Sequence, residues 1–360
     1  MMFPLNPATK PALADQVLIY GAGNNGRSIS VQLERLGIKV QGFIDRDKRG
    51  RNSYCGRPLF GLDELDHGFR SKQVVISIHN REVDLISVID TLKTRGFSDL
   101  VTMVDYANAN PADKTFRFFL SSSDLILAQE DEIRKFESLL SDEKSKALYR
   151  QLLMFRLGHG YEYCPPPDVV HQYVPSDIRR WHNPMRLIDC GAYDGDSIGI
   201  FQKANYQIQA IVAFEPDLHN YRKLIQNCVT TSAVCLPCGV GETASVLRFD
   251  SGDGEGSRVT NDGDSVIQIC SIDETLENWG PTLIKMDIEG AEYLAIKGAR
   301  ATIAKHRPGL AISAYHTPDD LWRLGLSINE IADGYDFYLR CHAYSSFDTV
   351  LYALPRLKSQ

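Results

Sequence analysis

The sequence predicts an α/β protein of two Rossmann-like units, the smaller one first. Three observations predict it. At 17–45 and again at 186–215, an apolar run enters a glycine-rich turn, a helical pattern follows, and a second apolar run ends on an acid. In a third place the run Thr282 to Met286 stops on three carboxylates, Asp287, Glu289 and Glu292, gathered around Gly290. Ligands of open α/β sheets bind beyond the carboxyl ends of the strands, so acids at such an edge are site candidates.

Bulk properties narrow the rest. At 360 residues the chain exceeds the ~100–200 of one domain. A hydrophobic share of 43% with 24% charged residues is that of a globular chain. The net charge of −7 argues against a nucleic-acid partner. No apolar stretch approaches the ~20 residues of a membrane span. The run from Met1 to Gln16 has prolines and no apolar core of a secretory signal, so a cytoplasmic location is expected. Among the eight cysteines, Cys235 and Cys238 have metal-knuckle spacing, but no second pair or histidine pair completes a zinc site. Free thiols and no bound metal are expected.

Val17 to Tyr20 is a buried strand, Gly21, Gly23 and Gly26 form the turn, and Arg27 to Leu36 has helical spacing stopped by Gly37. Lys39 to Ile44 is a second strand closing on Asp45. Glycines so placed permit a tight turn and close approach to a pyrophosphate at the helix N-terminus, while Asp45 holds ribose hydroxyls. Two continuations stay open: a dinucleotide site, or a nucleotide-sugar or degenerate site. Val74 to Ile78 is a third strand and Glu82 to Arg95 a helix; after Asp105 the pattern ends with no hydride-transfer site. Gly42 to Asp45, with Gly56 to Leu65, resembles the small N-terminal domain of PglD-type sugar acyltransferases. That resemblance implies nucleotide-sugar contact rather than redox chemistry.

From Pro111 to Tyr161 the pattern is helical. Ser123 and Asp124 cap a helix running through Arg134, and Ser141 starts another to about Leu157. Cys164 and the prolines at 165–167 make a stiff connector. The expected organisation is a nucleotide-binding-type domain at 1–110, a helical connector at 111–167 and a second α/β domain at 168–360.

In that second domain Arg186 to Asp189 is a strand. Gly191, Ala192 and Gly195 let the backbone approach a ligand, and Asp196 or Ser197 caps the helix to Ala204. The next strand, Gln209 to Phe214, ends on Glu215 and Pro216, an acid placed for ribose hydroxyls. Acids inside the turn repel a pyrophosphate but suit a ligand with a sulfonium and an ammonium, such as S-adenosylmethionine. Ala233 to Pro237 is a strand, and Cys238, Gly239, Val240 and Gly241 follow it to wrap an adenine edge. Asp250 to Asp264 lacks calcium-loop spacing and is expected as a solvated hairpin or lid. Ala311 to Tyr315 is a strand ending on His316, and Tyr335 to Cys341 with Thr349 to Leu354 form an antiparallel pair.

Leu187 to Ser197, Phe214 to Pro216, Ser271 to Glu274, Ile284 to Glu292 and Tyr315 to Trp322 together resemble the FkbM family of S-adenosylmethionine-dependent methyltransferases. The resemblance runs from about 170 to 355 and includes Tyr173 to Pro175 and Tyr338 to Arg340. It implies a class I methyltransferase fold and methyl transfer to a hydroxyl, often on a sugar or polyketide. It also places Asp189, Gly191 and Gly195 at the methionine end and Glu215 at the ribose. Cys341 and His342 depart from the residues the family often has after Arg340.

Such a transfer needs the acceptor oxygen ~3 Å from the methyl and in line with the leaving sulfur, plus a base for the hydroxyl proton. Asp287 and His316, at neighbouring strand ends, are the candidates, with Glu289 behind them; Glu292 is expected as a structural partner of Lys285 or of the turn backbone. A divalent cation on the same carboxylates is the other way to acidify a hydroxyl, and nothing in the sequence requires it. The favoured function is an O-methyltransferase acting on a sugar or glycan acceptor in polysaccharide, lipopolysaccharide or glycoside synthesis. The alternatives are an NAD-dependent sugar-nucleotide oxidoreductase working through Gly21 to Asp45, and a non-enzymatic module of a glycan-assembly complex.

Overall fold

The computed structural model describes all residues except 1–4, 10–11, 49, 112, 114–117, 229–231, 251–257, 260–264 and 358–360. The chain divides into two compact units. The first holds residues 1–130, 150–167 and 343–347, the second 131–149, 168–342 and 348–360.

The first unit is built on β1 (Gln16–Tyr20), β2 (Lys39–Ile44), β3 (Ser53–Tyr54), β4 (Arg57–Phe60), β5 (Gln73–Ile76) and β6 (Leu100–Val101), in the sheet order β3-β4-β2-β1-β5-β6. β1 is parallel to both β2 and β5, which explains its unbroken apolar run: a strand with parallel neighbours is covered on both faces. Val17, Leu18 and Ile19 are fully buried, and each such side chain contributes about 1.5–3 kcal/mol. The helix Asn24–Arg35 starts from Gly23.

The second unit carries β7 (Met185–Cys190), β8 (Ile208–Phe214), β9 (Ala233–Leu236), β10 (Gly239–Val240), β11 (Ser245–Asp250), β12 (Arg258–Val259), β13 (Ser265–Cys270), β14 (Leu283–Met286), β15 (Gly309–Ser313), β16 (Tyr335–Cys341) and β17 (Thr349–Pro355). Seven of these form one sheet in the order β16-β17-β15-β14-β7-β8-β9. The neighbouring strands from β15 to β9 run parallel, and β17 is antiparallel to both β15 and β16. This is the mixed α/β, Rossmann-like architecture the sequence predicts. A smaller sheet has the order β10-β13-β11-β12. Most of the expected hairpin or lid at Asp250 to Asp264 lies outside the described residues; β11 and β12, which flank its first part, pair antiparallel.

The helix expected from Ser123 through Arg134 is two helices, Ser123–Leu127 and Glu130–Leu139. In the second unit Arg340, almost wholly buried, pairs with Asp142 and Asp177 and donates to Ser145 Oγ, tying the segment around 142–145 to β16. No helix among the described residues is long and apolar enough to cross a membrane.

Candidate active site

β8, β7, β14 and β15 are successive parallel neighbours, so their carboxyl ends lie side by side. That edge gathers Glu215, the turn from Gly191, Asp287 and His316. Register puts Lys285 opposite Asp189. Both are buried, with Lys285 Nζ 3.1 Å from Asp189 Oδ1. Lys285 also donates to the carbonyl of Gly191 at 2.6 Å, and Ser197 Oγ donates to the other oxygen of Asp189. Burial pulls the Lys285 ammonium down, but Asp189, Asp287 and Asp196 outweigh it and hold the lysine charged. Asp189 therefore braces the turn from behind.

Gly191 has φ +74°, and a Cβ there would lie 1.9 Å from the Asp287 carbonyl oxygen, so β7 and β14 approach this closely only with glycine. The N–H groups of Gly191 and Ala192 both donate to Phe214 O at 3.0 Å. The cap of the helix Asp196–Lys203 is Gly195, with no side-chain cap bond. Asp196 Oδ1 accepts from the Ser197 N–H, and the Ser197 hydroxyl is taken by Asp189, so neither residue caps the helix as expected.

Glu215 is buried and accepts one backbone N–H on each oxygen, from Tyr193 and from Asp217, both at 2.9 Å. Burial raises its carboxyl to about 7. Pro216 leads into Asp217, whose carboxylate caps the helix Leu218–Asn227. Gly239 and Val240 lie in the smaller sheet, where β10 pairs with β13. There Cys238 Sγ stands 3.4 Å from Cys270 Sγ, so the thiol facing Cys238 comes from β13 rather than from the nearby Cys235.

Beyond β14 the chain turns sharply, with Glu289 at φ +55° and Gly290 at +99°. Glu292, fully buried, closes this turn: its oxygens accept from Ile288 N (2.7 Å) and Gly290 N (3.0 Å). Of the two partners expected for Glu292, the turn backbone is the one it meets. The same carboxylate accepts from His316 Nδ1 at 2.8 Å. The other ring nitrogen, Nε2, thereby faces Asp287 Oδ1 at 3.4 Å and Glu289 Oε1 at 4.0 Å. Burial lowers the His316 pKa, but Glu292, Asp287 and Glu289 overrule it and raise it to about 10. Burial raises the Asp287 carboxyl, but Lys285 and His316 hold it below the usual aspartate range. Asp287, Glu292 and His316 offer donor atoms within 4.8 Å of one another.

Tyr173 is the residue that sequence reasoning left without a role. Its buried hydroxyl donates to Asp287 Oδ2 at 3.0 Å. The Tyr173 N–H donates to the Tyr352 hydroxyl at 3.0 Å, which lies 2.8 Å from His342 Nε2. His342 Nδ1 is 2.7 Å from the Asp168 carbonyl, which only accepts, so Nδ1 carries the hydrogen. Burial lowers the His342 pKa, leaving the ring neutral and Nε2 an acceptor for Tyr352. His342 thus positions Tyr173 through Tyr352.

In the first unit Gly21, at φ +107°, donates to Ile44 O at 2.8 Å, and Ser77 Oγ donates to Gly21 O at 3.1 Å. A Cβ at Gly23 would meet nothing, whereas one at Gly26 would strike Gly21 O at 2.1 Å. Gly26 serves helix–strand packing and Gly23 leaves room. Asp45 is taken up by the N–H groups of Ala22 (2.8 Å) and Asp47 (3.0 Å). Tyr54 donates to Gly23 O, with the guanidinium groups of Arg27 and Arg51 against its ring.

Residues 189–351 match the family described as Methyltransferase FkbM domain. The structure is similar to the crystal structure of Methyltransferase FkbM from Methylobacillus flagellatus KT: 25% identity, 94% of this chain, 90% of that chain and a TM-score of 0.76. Likeness to Aeropyrum pernix fibrillarin is weaker, at 9% identity over 51% of this chain and 73% of that one, with a TM-score of 0.35. So is likeness to precorrin-6y C5,15-methyltransferase from Geobacter metallireducens GS-15, at 14% over 49% and 83%, with a TM-score of 0.32. Neither of these two carries an argument. No curated protein matches the chain. The family match and the similar Methylobacillus structure support a methyltransferase role.

Proposed function

We propose that the protein is an S-adenosylmethionine-dependent O-methyltransferase whose acceptor is a sugar hydroxyl in polysaccharide, lipopolysaccharide or glycoside synthesis. The observation that carries the reading is the acid-lined turn between Asp189 and Glu215, one strand away from Asp287 and two from His316. S-adenosylmethionine, when bound, supplies a methyl group on a sulfonium. The donor set fits that ligand. The charge of Lys285 is met by Asp189, so it is not offered to a phosphate. Each oxygen of Glu215 accepts one N–H and has a second acceptor position, which matches the two hydroxyls of a ribose. Gly239 and Val240 are assigned to the nucleobase.

Asp287 is the proton acceptor. An alcohol oxygen becomes strongly acidic as it gains a methyl group, so a carboxylate below the usual range is a sufficient base late in the step. Tyr173 fixes one Asp287 oxygen, leaving Oδ1 on the His316 side. His316 and Glu289 set the field around the acceptor. In the first unit, Gly21, Gly23, Gly26 and Asp45 are assigned to a nucleotide sugar, and saturable NADH binding lost in Asp45→Ala would replace that assignment by a redox one.

The test is tritium transfer from labelled S-adenosylmethionine to a panel of nucleotide sugars and lipopolysaccharide or capsular fragments. Label should reach one class of acceptor. Absence of transfer, together with absence of S-adenosylhomocysteine binding by the pure protein, overturns the reading.

A further inference from the structure

We infer that Asp287 Oδ1 and His316 Nε2 ligate one divalent cation of the magnesium–manganese class, with Glu289 beside them. The inference deepens the methyl-transfer reading, and rests on it for the ion's role but not for the ion's site. Adjacent ligands of an octahedral ion at ~2.1 Å stand about 3 Å apart and opposite ones about 4.2 Å apart. The separations of His316 Nε2 from Asp287 Oδ1, 3.4 Å, and from Glu289 Oε1, 4.0 Å, lie between those two values. Carboxylate with imidazole is a donor set that manganese accepts.

Two further observations point the same way. Asp287 Oδ1 is a buried oxygen faced by His316 Nε2 at 3.4 Å without a well-formed hydrogen bond, and a poorly satisfied buried oxygen is costly. Independently, Glu292 is fully buried, held by two backbone N–H groups, and fixes His316 through Nδ1. A carboxylate behind one ring nitrogen with the other nitrogen presented forward is how proteins orient a histidine for a metal. Glu292 is the orienting group because both its oxygens are already engaged. When the ion binds, the proton on Nε2 leaves to solvent and the nitrogen lone pair forms the bond to the metal. The remaining positions accept a hydroxyl and a neighbouring oxygen of the acceptor, which selects acceptors with adjacent oxygens and lowers the pKa of the hydroxyl; with the ion bound, Asp287 acts as its ligand in place of its role as proton acceptor, and the hydroxyl proton leaves to solvent.

Full-length protein stripped with a chelator and titrated with Mn2+, followed by the electron paramagnetic resonance of free Mn2+, tests the site. One saturable equivalent is expected, at least tenfold weaker in Asp287→Asn and several-fold weaker in Glu289→Gln, whose side chain is one-third exposed and safe to change. No saturable uptake by the unaltered protein, or uptake unchanged in Asp287→Asn, overturns the inference. S-adenosylhomocysteine binding is read in the same preparations by calorimetry. Its absence strikes the methyl-transfer reading and leaves the Mn2+ result to decide the ion site.

Discussion

The two glycine turns of this molecule share a set of backbone hydrogen bonds, offset by one residue at the acid: Ala22 N reaches Asp45, while Ala192 N still bonds Phe214 O and Tyr193 N reaches Glu215. Gly21 donates to Ile44 O as Gly191 donates to Phe214 O. Asp45 accepts from Ala22 N and Asp47 N as Glu215 accepts from Tyr193 N and Asp217 N. Ser77 N donates to Tyr20 O as Asp287 N donates to Cys190 O, both at 3.0 Å. The difference lies one strand away. Where β1 and β5 pair Ile19 with Val75, β7 and β14 pair Asp189 with Lys285. Where the first unit has Ser77, the second has Asp287. The backbone clasp therefore belongs to the fold and needs no buried charge. Burying an ion pair where an apolar pair suffices is expensive, and the methyl-transfer reading proposed above gives Asp189, Lys285 and Asp287 a use beyond folding.

The largest effect that tests the contrast is on turnover. Asp287→Asn should lower methyl transfer by ~10²–10⁴-fold, the range for loss of a general base, while S-adenosylhomocysteine affinity stays within a few-fold by calorimetry. An active variant would remove Asp287 from the mechanism. Next, Lys285→Met leaves Asp189 buried without its cation and should cost about 3–5 kcal/mol in denaturant unfolding. Asp189→Ile with Lys285→Val copies the first unit's pair and should recover most of that stability.

A smaller effect concerns pH. Glu215 has its folded pKa raised to about 7, above the ~4.3 of an unfolded chain. Its contribution to stability is thus complete below the unfolded value and is lost as pH rises through about 7. The ligand needs the ionised form, so affinity for S-adenosylhomocysteine should rise between about pH 6 and pH 8 and be flat in Glu215→Gln. A pH-dependent Glu215→Gln would assign the titration to another group. Smallest is Tyr173→Phe, which removes one hydrogen bond to Asp287 and should cost about 1 kcal/mol, a several-fold fall in turnover with unchanged cofactor affinity.

Much of this was legible in the sequence, for a physical reason. Strands with parallel neighbours read as unbroken apolar runs, and a turn needing positive φ asks for glycine, so both strand–turn–helix units stood out. The antiparallel pairing of β16 with β17 followed from their alternating and apolar character. Cross-strand partners did not, because they depend on register. The sequence offered Glu292 to Lys285 or to the turn backbone without deciding between them; register gives the lysine to Asp189 and leaves Glu292 to the turn. Tyr173 reaches Asp287 from a loop 114 residues away, and no local pattern signals such a contact. The break between Ser123–Leu127 and Glu130–Leu139 was equally hidden, since helical spacing continues across it.

The central claim, that the second turn differs from the first because it holds a methyl donor, is tested most directly by calorimetric titration with S-adenosylmethionine. The unaltered protein should bind one equivalent, and the folded Asp189→Ile, Lys285→Val double variant should bind none. No heat with the unaltered protein, or equal binding by the double variant, would contradict the account.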